Sequence, residues 1–171
     1  PELCTGAAQE LTGVWDESVR TQMREAFTAS GAPSAQDAFE STAGRLDTFA
    51  EGWVAIHTRA CEAGLTDADS DRIGSQMLCL GQRKRELGEL TLILTDPKVD
   101  ADTVRRAVFA ASDLREPESC EDEAMLRGLS PPSSEEEREE HEAIDRLLAQ
   151  ARSKLLLGQH SEGLQTAQVA V

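Results

Sequence analysis

Cysteine occurs at positions 4, 61, 79 and 120, each far from the others. A zinc clip or a thiol–disulfide redox motif needs two sulfurs within a few residues, because one local turn must aim both at one point. Here the spacings are long, so the sulfurs can meet only through tertiary structure. An even number of widely separated cysteines in a charged chain points to structural disulfides, which persist in oxidising compartments. The competing reading is four buried free thiols, since free Cys is a common core residue. His57 and Cys61 stand at i, i+4 and share a helix face, where two metal ligands could sit. Structural zinc takes four ligands, the others would have to come from afar, and Cys61 is better used in a disulfide, so no metal is expected.

Other chemistry is sparse. There is no G-x-S-x-G turn, and the three histidines sit on helical patterns without a triad partner. Neither a Gly-rich phosphate loop nor the H-R-D and D-F-G motifs of a kinase is present. The chain is therefore expected to be non-catalytic and to need no cofactor. The cluster Arg83-Lys84-Arg85 is the one candidate contact for an anionic ligand or partner. A solvated face pairing with Glu86 and Glu89 is the plainer account of it.

A chain of 171 residues suffices for one good core with an appended element. Aromatic residues make up 4% and tyrosine is absent. The strong helix formers Ala, Leu, Glu, Arg and Gln dominate. A net charge of -15 argues against nucleic acid or an anionic lipid surface, both of which need clustered Lys and Arg. No apolar run approaches the roughly 18 residues of a membrane span. Pro1 begins neither with an initiator Met nor with a signal-peptide pattern, so the chain is expected to be a piece of a longer protein. Any targeting or membrane-spanning segment is then expected outside it.

Periodicity predicts helices almost throughout. Asp16 caps a first helix with Val19, Met23, Ala26 and Phe27 on its apolar face, ended by Gly31-Ala32-Pro33. Ser34 with Asp37 resembles a capping box. A stripe from Phe39 through Leu46, Phe49, Trp53 and Ile56 to Ala60 then recurs at three- and four-residue steps and stops at Gly64. Thr66 or Asp67 starts a second long helix with Ile73, Met77, Leu80, Leu87, Leu90 and Leu94 inward, ended by Asp96-Pro97. Asp100 caps a shorter helix bearing Val104, Ala107, Val108 and Ala111. Strand patterns are absent. The expected fold is an all-α bundle around a long antiparallel hairpin of helices at 35–63 and 67–95.

Composition shifts at 129–134, where Pro131-Pro132 and serines read as a stiff connector and a domain boundary. That divides the chain into a bundle over 1–128 and a helical segment over 135–171. The acidic run Glu135 to Glu142 reads as a solvated first stretch of helix, where carboxylates favour the positive end of the macrodipole. Further on, Gly158-Gln-His-Ser-Glu-Gly-Leu164, followed by Ala167 and Ala170, resembles the second half of a tetratricopeptide repeat, with Gly at the turn and small residues where helices pack. His160 stands in place of the usual aromatic and Gly163 in place of the usual Ala. Ile144, Leu147, Leu148, Ala151, Leu155 and Leu156 would form the partner helix's face.

The whole arrangement resembles the region between the transmembrane segment and the tetratricopeptide repeats of bacterial serine/threonine protein kinases. That resemblance rests on Trp15 in Leu11-Thr-Gly-Val-Trp-Asp16, on Trp53-Val-Ala-Ile-His-Thr-Arg-Ala-Cys-Glu-Ala63, and on Met77-Leu-Cys-Leu-Gly-Gln-Arg-Lys-Arg-Glu-Leu87. Cys120 within Glu118-Ser-Cys-Glu121 and the repeat beginning near Glu135 complete the order. It implies a periplasmic, membrane-anchored sensor or regulatory domain, with the kinase domain upstream across the membrane. The alternative is a helical protein–protein interaction module capping a repeat array. Either would take an unknown protein or small molecule as partner.

Helix geometry separates the three possible disulfide pairings. In the expected hairpin, Cys61 and Cys79 lie at levels differing by roughly 12 Å at 1.5 Å per residue, beyond the ~7 Å Cα separation a bridge tolerates. The helix after Asp100 returns the chain to near the level of Cys79 before Cys120. The favoured pairing is therefore Cys4–Cys61 with Cys79–Cys120, over Cys4–Cys79.

Overall fold

A computed structural model of the chain describes residues 4–66 and 69–170. It is all-helical, with no strand among the described residues. The described residues form, in order, α1 (Glu17–Ala29), α2 (Ala35–Gly64), α3 (Ser70–Leu94), α4 (Ala101–Ser112), α5 (Glu123–Leu126), α6 (Glu135–Leu156) and α7 (His160–Val169). Short 3-10 turns occupy Gln9–Leu11 and Pro117–Glu121.

Capping residues set most of the boundaries. Asp16 Oδ1 accepts from the Val19 amide at 2.9 Å, and Asp100 Oδ1 accepts from that of Thr103 at 2.7 Å. Backbone N–H donors hold both carboxyls below their usual pKa, those of Gly13 and then Val19 for Asp16 and that of Thr103 for Asp100. Ser34 precedes α2 without making a side-chain cap, so no capping box forms there. Helix α3 starts at Ser70 with Asp69 accepting from the Arg72 amide, one turn later than Thr66. Asp67 lies outside the described residues. A reciprocal cap does form at α6: Ser134 accepts from the Glu137 amide, and the Glu137 carboxylate accepts from the amide and hydroxyl of Ser133.

The main core lies where the faces of α1, α2, α3 and α4 meet. Met23, Phe27, Leu46, Leu80, Leu94 and Val104 have no exposed surface. Trp53 is 2% exposed and its indole N–H donates to the Leu80 carbonyl at 2.8 Å, which satisfies the ring's one polar group inside the core. Burying side chains of this size contributes about 1.5–3 kcal/mol each. The N-terminal turn is strapped on by Asp47, which accepts from the Trp15 indole at 2.9 Å and from the Arg20 guanidinium.

Both disulfides form in the pairing that helix geometry favours. Cys4 joins Cys61 near the end of α2, with Cα atoms 5.7 Å apart; Cys79 on α3 joins Cys120 in the Pro117–Glu121 turn, at 5.6 Å. Two disulfides are the chemistry of an oxidising compartment. No described helix is long and apolar enough to cross a membrane.

Helix α3 departs from its expected single apolar face. It touches α1, α2, α4, α5, α6 and the Pro117–Glu121 turn. Ile73 and Met77 are only half-buried, whereas Ser75, Gln76, Arg83 and Glu86 are buried. A helix enclosed on several sides must bury polar positions as well as its apolar stripe. The connector is also tied down, since its Leu129 carbonyl accepts from the Ser75 hydroxyl at 3.1 Å. Helix α6 packs on α3 rather than standing apart from it.

Candidate functional site

Four guanidiniums and three carboxylates meet at the seam between the bundle and α6. Arg83 is 1% exposed and reaches the Glu86 carboxylate at 3.4 Å, with Ser119 Oγ as a second partner. Arg115, which follows α4, donates to the same Glu86 oxygen. Two cations thus share one buried carboxylate. Arg85 bonds Asp145 of α6 at 2.8 Å, and Arg152 of α6 bonds Asp113 at 2.6 Å. A cleft of about 360 Å³ opens between these groups, bounded by Gln82, Glu86 and Arg115 on one side and by Asp145, Leu148, Ala149 and Arg152 on the other.

Electrostatics of the seam follow from crowding. The Arg115 guanidinium is pushed down to about 10, by burial first and then by the charges of Arg83 and Arg152. Burial likewise lowers Arg83. Glu89, one turn along α3, is raised by burial despite the charges of Arg146 and Lys154. Taking charges out of water is costly, so such pairs lend geometry more than stability.

The expected triplet Arg83-Lys84-Arg85 does not converge. Successive helix residues point about 100° apart, and each side chain takes its own carboxylate. Arg83 turns inward to Glu86, Lys84 reaches Glu10 at 2.7 Å beside the Trp53 ring, and Arg85 reaches Asp145. Glu86 partners Arg83 as the sequence suggests, but inside the protein rather than on a solvated face. His57 stacks on Trp53 at a centroid separation of 4.7 Å, and burial lowers its pKa below the usual 6.5. Cys61, four residues on, is committed to Cys4. Among the described residues no cluster of His, Cys, Asp or Glu is placed to hold a metal ion.

Arg115, Asp145 and Arg152 were not singled out from the sequence. Arg115 follows α4 whereas Asp145 and Arg152 lie on α6, so they meet only in the fold. One signal was present: Gln82, Glu86 and Glu89 recur at four and three residues along α3, a polar stripe beside the apolar one. Such a stripe marks a second packed face when another helix supplies its countercharges.

At the far end, α6 turns into α7 at Gly158, whose φ of 87° suits a residue without a side chain. Gly163 is buried, and a Cβ there would lie 2.9 Å from Leu155 and 3.1 Å from the Ala151 carbonyl. Close helix approach therefore depends on that glycine. On this pair Leu148, Leu155, Leu164 and Val169 are between 43% and 73% exposed. Comparison with protein families, curated proteins and solved structures found no match to this chain.

Proposed function

We propose that the chain is a non-catalytic, extracytoplasmic regulatory segment of a bacterial transmembrane serine/threonine protein kinase, anchored through a segment outside this chain. In this reading the disulfide-stapled bundle receives a signal, and the α6–α7 pair is the element whose position reports it. The observation that carries it is the seam: α6 is held on a covalently locked bundle by Leu156 and Leu157 at its end, and along the rest of its length it faces α3 across a charged, open cleft. The two disulfides support an exported location, and the resemblance in Trp15, the two cysteine-bearing helices and the repeat near Glu135 supports the kinase affiliation. Thermal melts of the oxidised protein with fractionated periplasmic small molecules provide the test. At least one fraction is expected to raise the melting temperature by mass action. A response to no fraction would defeat the sensor reading, and ATP turnover abolished by a single internal substitution would defeat the non-catalytic one.

A second reading, a helical interaction module that caps a tetratricopeptide array, draws on the exposed Leu148, Leu155, Leu164 and Val169. A single helix pair of that type buries its outer face only when neighbours stack on it. The substitution Leu164→Glu separates the two readings. It would abolish protein capture under the second while leaving small-molecule thermal shifts intact under the first.

A further inference from the structure

The geometry points to a small α-amino acid as the ligand of the cleft between α3 and α6, its carboxylate held by Arg115 and Arg152 and its ammonium by Asp145. This inference rests on the reading of that seam as the signal-receiving site. The cleft, at about 360 Å³, is at the small end of ligand pockets, which run to roughly 300–1,000 Å³. Its walls carry both signs of charge, and the ligand must match both.

The positive side is under-compensated. Arg83 and Arg115 share the single Glu86 carboxylate, and Glu86 is Arg115's sole hydrogen-bond partner among the described residues. Arg115 lines the cleft, and its side chain is 45% exposed. Arg152 stands on the same cleft, with its contacts to Asp113 made through one nitrogen. Burial first, and then the charges of Arg83 and Arg152, depress Arg115. A planar carboxylate offers two oxygens to guanidinium edges in parallel, the geometry Arg recognises best.

The negative side excludes phosphate. Glu86 and Asp145 lie within the same walls and would repel a dianion, whereas a singly charged carboxylate is tolerated. Asp145 is bonded by Arg85 through one oxygen at 2.8 Å and by the Gln82 amide through the other at a long 3.5 Å. An ionised carboxylate has about four lone-pair sites, so Asp145 keeps acceptor capacity for an ammonium. Leu148 and Ala149 give the apolar wall that a short side chain would cover.

The test is titration of the oxidised chain with L-valine, and in parallel with isobutylamine, isobutyrate and inorganic phosphate, read by amide NMR shifts and by melting temperature. L-valine is expected to bind at least ten-fold more tightly than either single-charge analogue and than phosphate, with shifts on α3 and α6. Arg152→Met should weaken L-valine at least ten-fold. Asp145→Asn should weaken L-valine but leave isobutyrate unchanged, a readout that survives even if Arg152→Met melts before it can be titrated. Phosphate binding more tightly than L-valine would overturn the ligand class. No shift with L-valine, L-alanine or L-serine would overturn the proposal; if extract fractions still raise the melting temperature, the sensor reading stands without it.

Discussion

The face of α2 that carries Leu46, Trp53, Ile56 and Ala60 is dry, whereas the face of α3 turned toward α6 carries Gln82, Arg85, Glu86 and Glu89. These surfaces hold two joints of one molecule with different physics. The first rests on apolar area removed from water, which is non-directional and insensitive to salt. The second rests on charge pairs whose Coulomb gain is set against desolvation. A joint of the first kind fixes a shape. One of the second kind is free to respond to ions, pH and charged ligands.

The largest expected effect lies in the dry joint. Trp53→Ala removes a ring that is 2% exposed together with its hydrogen bond to the Leu80 carbonyl, and large-to-small changes of this type cost about 3–5 kcal/mol. Urea denaturation should show that loss undiminished at high salt. A loss below about 1 kcal/mol would mean that the ring is not part of the core.

Next comes the staple that spans both regions. The Cys79–Cys120 bond closes a separation of 41 residues and holds the Pro117–Glu121 turn, with Ser119, over Arg83. Replacing both cysteines by Ser should cost about 2–4 kcal/mol through the unfolded chain's regained freedom. Peptide mapping without reductant must find the two bonds at Cys4–Cys61 and Cys79–Cys120. A Cys4–Cys79 peptide would break the assignment.

The third effect is smaller and belongs to the charged joint alone. Asp145→Asn removes the carboxylate from Arg85, in a pair whose side chains are 17% and 22% exposed. The loss should be about 1 kcal/mol at low salt and shrink as ionic strength rises and screening shortens. If the Trp53→Ala and Asp145→Asn losses respond equally to salt, the two joints do not differ in kind.

This contrast also explains how much of the molecule was legible in its sequence. Every residue of the α1 stripe is buried as periodicity requires, and so are Phe39, Leu46, Trp53, Ile56 and Ala60 of α2. Apolar burial is a local signal, because a residue's type and its spacing decide which way it faces. Asp16 and Asp100 were readable for a similar reason, since a cap joins residues only three positions apart. The pairing of the cysteines followed from rise per residue and chain direction. The seam was not readable. Arg83, Lys84 and Arg85 form a cluster in sequence, but their partners, Glu86, Glu10 and Asp145, lie on different elements. Ile73 is half-buried and Met77 packs only at the edge of the core, while Ser75, Gln76, Arg83 and Glu86 are buried because α3 is enclosed from several sides rather than one.

The subtlest expected effect is a pair of titrations with opposite sign, one in each region. Burial raises Glu89 above its usual 4.5 at the charged joint. The folded chain therefore holds that proton more tightly than the unfolded chain. Its contribution is fully present below pH 4.5 and is lost as pH rises through the raised folded value. Burial against Trp53 lowers His57 below its usual 6.5, so the unfolded chain binds that proton more tightly. Stability at this site is present above pH 6.5 and declines as pH falls toward the lowered folded value. Glu89→Gln should flatten the acidic window just above the ordinary carboxylate range and raise stability at neutral pH, without touching the His57 window. Urea midpoints measured at closely spaced pH values resolve the two. An unchanged pH profile in Glu89→Gln would show that water reaches the α3–α6 joint freely, and the seam would then be a surface contact rather than a partly desolvated cleft.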